Sequence, residues 1–481
     1  MAGGARRSSG VQPPGRIAAA MAEAWTRRGG GGAFVARLLM LLALSFAALV
    51  QPAAAQSVLR DAETEALLRD MSRPLIEAAG LRPENVQVVL LHEREINAFV
   101  IGGQVVYIHS GLFTSAENAN EVQGVIAHEL GHITGGHIIR LEQGVRQATG
   151  IMILSMLLGG LALAAGAGEA GMAAMAAGQQ AAVHRFLAFS RVQENSADQA
   201  GASFLSHAGI SGRGSLAFFK RLQNLEFRMN IPQDNGYART HPLTGERISV
   251  LEAMYEADPA WNHQTDPALE ERFQRVRAKL IGFVDEPRQV MTRYPESNRS
   301  IPARYARAYG WHRAAHPDRA LAEVDSLLRD RPHDPFFLEL RGQILLESGR
   351  PQEALESLRE AVALVPDQPL IAALFGHALI ATEDPANFEE AKRVLRVAVQ
   401  RDNDNPFAWY QLGIVYDREG DQPRAALATA ERYNLTGQPQ LALVNAEQAM
   451  MGIPVGTPDW LRAQDIAMVS RSEVQRQRRN R

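Results

Sequence analysis

Apolar residues recur at spacings of three and four along most of this 481-residue chain, the period of a helix that packs one face on a core. Leu67, Leu68, Met71, Leu75 and Ile76 predict a helix over 61–79. Val122, Ile126, Leu130 and Ile133 predict another, entered at Asn118 with Glu121 three residues on, the arrangement of a capping box. Between these helices the period shortens. Residues 86–91 and 105–108 are Val-rich runs that read as strands, and 97–103 reads as a further strand edge and turn. A small sheet ahead of a helix offers an edge to which an extended peptide could add by backbone hydrogen bonds; a purely structural hairpin fits the same residues equally well.

Residues 148–168 form an uncharged run of 21, long enough to cross a bilayer. The return, 171–183, is short, contains glycine and holds Gln179 and Gln180, a poor second span. The preferred reading of 148–183 is an apolar helical hairpin that lids a site beneath it. Contact with a membrane surface is the second reading and a spanning pair the third.

Further on, a repeat appears. Pro335 to Pro369 is 34 residues, Pro369 to Pro406 is 37, and Pro406 to Pro439 is 33. Gly342, Gly376 and Gly413 keep step with it, as do Ala354, Ala391 and Ala425. A helix-turn-helix period near 34 is the tetratricopeptide signature, and roughly four repeats fit in 301–445. Stacked repeats leave a concave surface for a peptide or protein partner. Residues 256–300 read as a polar helical linker, and 446–481 as an irregular, basic tail with Arg471, Arg476, Arg478, Arg479 and Arg481. The expected fold class is mainly α: an α+β domain with a small sheet over 56–255, followed by an α-solenoid of helix pairs.

Composition narrows the chemistry. At 46% hydrophobic and 21% charged the chain is ordinary for a globular protein. The first 55 residues hold six Arg and one Glu, so the remainder sets 44 basic against 52 acidic residues and argues against a nucleic-acid binder. The absence of cysteine excludes disulfides and thiolate metal ligands. Arg37, the apolar run 38–50 and Pro52-Ala53-Ala54-Ala55 make the pattern of an export signal over 1–55, cleaved after Ala55.

The chemistry centres on His128-Glu129-Leu130-Gly131-His132, an H-E-x-x-H inside the second helix. His128 and His132, four residues apart, point the same way and can share one zinc ion. Glu129 lies about 100° round the helix, beside the metal, where it can take a proton from the attacking water. A catalytic zinc needs a third protein ligand. His137 stands one place short of the metzincin spacing and reads better as a packing or hydrogen-bonding residue at the helix end. Glu194 is the better candidate: it shares a helix face with Asp198, so that one could bind metal while the other orients a ligand histidine.

H-E-x-x-H, then Glu194-x-x-x-Asp198, then Thr240-His241-Pro242 with Arg247, resembles the HtpX and CAAX-prenyl-protease family of zinc metallopeptidases. The exported chain with helical repeats behind it is similar to the periplasmic branch of the BepA/YfgC type. The resemblance implies that His128, His132 and Glu194 bind one zinc, that Glu129 is the catalytic acid/base, that Asp198 supports a ligand, and that His241 and Arg247 approach the reacting atoms. It also implies that His241 can occupy the open zinc position and hold the enzyme latent. The expected function is a zinc endopeptidase of the bacterial envelope. It would cleave misfolded or stalled proteins in the periplasm, with the repeats docking clients or the outer-membrane β-barrel assembly machinery. The alternatives are a repeat-based chaperone or scaffold with a mostly latent metal site, and a membrane-integrated peptidase.

Overall fold

The computed structural model describes residues 57–164, 167–229, 237 and 240–479; the export signal expected over 1–55 lies outside them. Helix α1 (Ala62–Ala78) starts at Asp61, whose carboxylate accepts the Thr64 N–H at 2.7 Å. It buries Leu67, Leu68, Met71, Leu75 and Ile76, the face read from the sequence. Strands β1 (Gln87–Leu91), β2 (Ala98–Val100) and β3 (Val105–His109) form a sheet in the order β1-β3-β2, with β1 parallel and β2 antiparallel to β3. The short α2 (Ser110–Ser115) leads into α3 (Ala119–Thr134), the H-E-x-x-H helix.

The cap of α3 differs in detail from a capping box. Asn118 accepts the Glu121 N–H at 3.1 Å, but Glu121 reaches back to the Glu117 N–H at 2.8 Å and is gripped by Arg221 at 2.5 Å. The helix is buried on every side from Ala119 to His132. Such a helix needs neighbours that approach its backbone closely, and glycines provide the room. A side chain at Gly131 would lie 2.5 Å from the Ala197 carbonyl oxygen, and one at Gly201 would lie 3.0 Å from the His128 nitrogen.

The neighbour is the C-terminal part of α5 (Gly168–His207), which returns antiparallel to α4 (His137–Ala164). These two long helices make the hairpin expected over 148–183. A lid would bury its apolar face on the domain; instead Ile153, Leu154, Met156, Leu157, Leu158 and Leu161 are exposed. The domain continues with α6 (Arg213–Met229) and α7 (Gly245–Glu256).

The segment expected to be a linker is structural. Helix α8 (Pro267–Val284) sends Phe273, Val276 and Leu280 into the core shared by α1, α3 and α6. After α9 (Pro287–Arg293) come five antiparallel pairs: α10 (Ile301–Arg313) with α11 (Pro317–Asp330), α12 (Pro335–Glu347) with α13 (Pro351–Leu364), α14 (Pro369–Ala381) with α15 (Phe388–Arg401), α16 (Pro406–Arg418) with α17 (Gln422–Leu435), and α18 (Pro439–Gly452) with α19 (Pro458–Arg479). The repeated glycines sit where paired helices cross: a side chain at Gly342 would meet Leu358 at 2.4 Å, and one at Gly376 would meet Leu395 at 2.5 Å. The expected irregular tail is largely α19, because Ala463, Ile466, Ala467, Ser470 and Val474 recur at helical spacing and are buried. The charged arginines masked that stripe.

The array is bonded to the first domain through buried ions. Glu63 at the start of α1 contacts Arg275 and, at 3.2 Å, Lys279 of α8, and accepts the Tyr305 hydroxyl of α10 at 2.8 Å. Arg275 also reaches Asp334, the cap of α12, at 2.5 Å. Ala62 packs with Leu338, Ala361 and Ile371 of the repeats.

Candidate metal centre

Three segments converge on α3. From α3 itself come His128 and His132, one turn apart, with Nε2 atoms 3.1 Å from each other. From α5 comes Glu194, 3.4 Å from His128 Nε2 and 3.5 Å from His132 Nε2. From the segment before α7 comes His241, whose Nδ1 lies 3.3 Å from His128 Nε2 and 3.1 Å from Glu194 Oε2. All four residues are buried, and their donor atoms lie within 4.8 Å of one another. Tetrahedral donors around a divalent cation with bonds near 2.1 Å stand about 3.4 Å apart. The observed spacings therefore fit donors gathered around one cation, and donors of only nitrogen and oxygen accord with a chain lacking cysteine.

Glu129 does not join the cage. It is buried at 1% exposure, and neither carboxylate oxygen has a hydrogen-bond partner among the described residues. His241 Nε2 stands 3.6 Å from Glu129 Oε1, beyond hydrogen-bond distance. An unpaired buried carboxylate is costly, and burial pushes its pKa up even though the charges of His241 and His128 pull the other way.

The supports form a second layer. Asp198, one turn beyond Glu194, lies 2.9 Å from His128 Nδ1. Arg247 at the start of α7 grips Asp198 at two points, 2.7 and 2.8 Å, and reaches Glu194 at 3.1 Å and the Pro242 carbonyl at 2.7 Å. These contacts hold the two carboxylates and the chain around His241. His137 is buried with its Nδ1 3.0 Å from His132 Nδ1, the hydrogen-bonding position expected of it. Sequence reasoning missed Tyr237. Its ring stacks on His241 at 4.6 Å, and its buried hydroxyl has no partner among the described residues. Only its place four residues before His241 hinted at this.

Charge in the cluster is strongly coupled. Burial pushes the His128 pKa down, but Asp198 and Glu194 outweigh burial and raise it to about 10. Burial, reinforced by the charges of His128 and His241, drives His132 well below its ordinary value. Glu194 and Asp198 stay ionised: burial opposes this, and the charges of His241 and His128 on one, and of His128 and Arg247 on the other, prevail.

Comparison with known proteins agrees with this geometry. Residues 62–255 match peptidase family M48, and residues 313–369 match a tetratricopeptide repeat. The chain is 25% identical over 377 residues to the beta-barrel assembly-enhancing protease of Yersinia pestis, covering 76% of this chain and 75% of that one. It is 25% identical over 378 residues to the protein of the same name in Escherichia coli (strain K12), with the same coverage. Metalloprotease LoiP of Escherichia coli (strain K12) is 26% identical over 177 residues, 37% of this chain and 65% of LoiP. The chain is a metalloprotease with a peptidase family M48 domain followed by tetratricopeptide repeats.

Proposed function

We propose that the chain is a zinc-dependent endopeptidase of the bacterial envelope. In this reading it cleaves misfolded or stalled proteins in the periplasm and assists outer-membrane protein assembly. The observation that carries it is the four-donor cage with an unpaired carboxylate, Glu129, beside it. His128, His132 and Glu194 would hold the zinc, which when bound supplies a Lewis acid for the scissile carbonyl and the attacking water. Glu129, buried and without a partner, takes the proton of that water and returns it to the leaving amine. Asp198 and Arg247 keep His128 and Glu194 in place. His241 has Nδ1 in the cage and Nε2 toward Glu129, which supports assigning it to the position of the attacking water. We read it as a plug that must swing out before a client can be cut. The repeats then dock clients or the assembly machinery. The envelope role draws on the relatives named as assembly-enhancing proteases.

A second reading, a repeat-based scaffold with a largely latent site, is favoured by the same position of His241. Metal content and cleavage of an unfolded model substrate separate the two. The endopeptidase reading expects about one zinc per chain. It also expects a loss of roughly 10²–10⁴-fold in Glu129→Gln, and faster cleavage in His241→Ala. Cleavage that survives Glu129→Gln, or a Glu129→Gln chain that retains full cellular function, would leave the scaffold.

A further inference from the structure

The α4–α5 hairpin is built inside out. Small residues line much of its seam: Ser155 and Gly159 on one helix face Gly171, Gly178 and Ala182 on the other, all but Gly178 buried, while Met175 packs over Gly159 and the Phe189 ring over Gly144 nearer the base. A side chain at Gly178 would collide with Ser155 Cβ at 1.9 Å, and one at Gly159 would lie 2.7 Å from the Gly171 carbonyl oxygen. The leucines point away from the seam. Leu154, Leu157, Leu158 and Leu161 are 58, 61, 54 and 68% exposed, and Ile153, Met156, Met172 and Val183 are exposed as well. Helix pairs in water bury leucine between them; pairs in lipid meet through glycine and serine and turn leucine outward.

The direction of these side chains tells lipid from a protein partner. At 100° per residue, positions 153, 154, 156, 157, 158 and 161 sweep about 200° of α4, the whole arc not used by the seam. A second copy or a peptide would need a stripe, and a hairpin lying flat on a membrane would need a polar face. The charges fall in line with this. None occurs on α4 beyond Arg146, and on α5 Glu169 alone lies between the tip and Arg185. Arg140, Arg146, Arg185 and Arg191 collect at the base, suited to anionic headgroups. From Arg146 to the end of α4 is 18 residues, about 27 Å, close to the thickness of a bilayer's hydrocarbon core. Gln179 and Gln180 sit within about 9 Å of the Arg185 level, where water and headgroups reach.

We propose that this hairpin inserts into a phospholipid bilayer with its arginine collar at the headgroups, fixing the metal centre at the membrane surface. The proposal does not depend on the metal or on cleavage. Its test is flotation of the purified full chain with vesicles of phosphatidylethanolamine and phosphatidylglycerol, beside the variant Leu154→Glu/Leu157→Glu/Leu158→Glu. The parent should float, and stay afloat at about 1 M salt, where the Debye length is about 3 Å. The variant, changed only at exposed positions, should be at least tenfold less bound while cleaving a soluble unfolded substrate at the parent's rate. Three outcomes overturn the proposal. They are a parent that does not float, binding that vanishes in salt, and a parent that is a vesicle-independent oligomer dissolved by the variant. The last would assign the face to a second copy.

Discussion

Arg247 and Asp198 meet at two points, 2.7 and 2.8 Å apart, and so tie the chain around His241 to the helix that carries Glu194. The pair is buried at both ends and also contacts His128, Glu194 and the Pro242 carbonyl. A lysine cannot reproduce the fork. Arg247→Lys should therefore lose roughly 10–100-fold in zinc affinity by chelator competition, as expected for a group that supports a ligand. Were Arg247 instead a donor to the transition state, metal affinity would hold and only kcat would fall.

Gly131→Ala tests the crossing of α3 and α5. Alanine favours a helix by about 1 kcal/mol over glycine. Here its Cβ would meet the Ala197 carbonyl oxygen at 2.5 Å and the Ala197 Cα at 2.9 Å. Both are backbone atoms and cannot turn aside, so overpacking of about 1–3 kcal/mol outweighs the gain. Ala197 lies between Glu194 and Asp198, so the displacement is transmitted to the cage. Expected results are a lower denaturation midpoint and at least a tenfold loss of zinc affinity, read on the same preparation.

How far these features could be read in advance depends on the range over which their cause acts. H-E-x-x-H and the pairing of Glu194 with Asp198 are local, set by helix period alone, and the structure brings them together. The repeats were legible for the same reason, with Gly342 and Gly376 marking helix crossings. Tyr237 was not legible, because its role comes from stacking on His241 and from the nearness of Phe219, which no spacing announces. The two helices of the hairpin were legible and the direction of their apolar side chains was not: hydropathy gives the amount of apolar surface, not the direction in which it faces. The segment 256–300 read as a linker because a third of α8 is charged, yet Arg275 and Lys279 are buried against Glu63.

Metal binding should release a proton. His128 is held protonated up to about pH 10 in the metal-free cluster, burial being outweighed by Asp198 and Glu194. His132 is driven low and Glu194 is already ionised, so neither has a proton to give at neutral pH. A ligand imidazole must be neutral. Zinc titrations by calorimetry in buffers of different ionisation enthalpy should show close to one proton released from these three ligands at pH 7. Asp198→Asn, which removes much of what raises His128, should reduce that number. Equal heats in all buffers would mean that His128 is neutral before the metal arrives.

The junction between the two parts of the chain should make stability fall as pH rises. Around Lys279 and Arg275 stand four carboxylates, Asp61, Glu63, Asp334 and Glu339. Two cations cannot balance four anions in a partly dry space, and Glu339 gives way: burial raises it to about 8, Lys279 opposes this, and Asp61 and Glu63 add to it. In the unfolded chain Glu339 ionises near 4.5. Below that pH both states hold the proton and the group contributes no slope. Between about 4.5 and 8 the unfolded chain has lost it and the folded chain has not, so each pH step favours unfolding. Above 8 both are ionised and the loss is complete. At 1.36 kcal/mol per unit the ceiling is about 5 kcal/mol; partial exposure and compensation by Lys279 reduce it to about 2 kcal/mol. Glu339→Gln removes the titration while keeping the shape. Thermal unfolding of the two proteins at pH 5 and pH 8 should therefore show the parent losing more stability than the variant across that interval. A parent whose curve runs parallel to that of Glu339→Gln would mean that Glu339 is ionised throughout and that the junction holds four charged carboxylates after all.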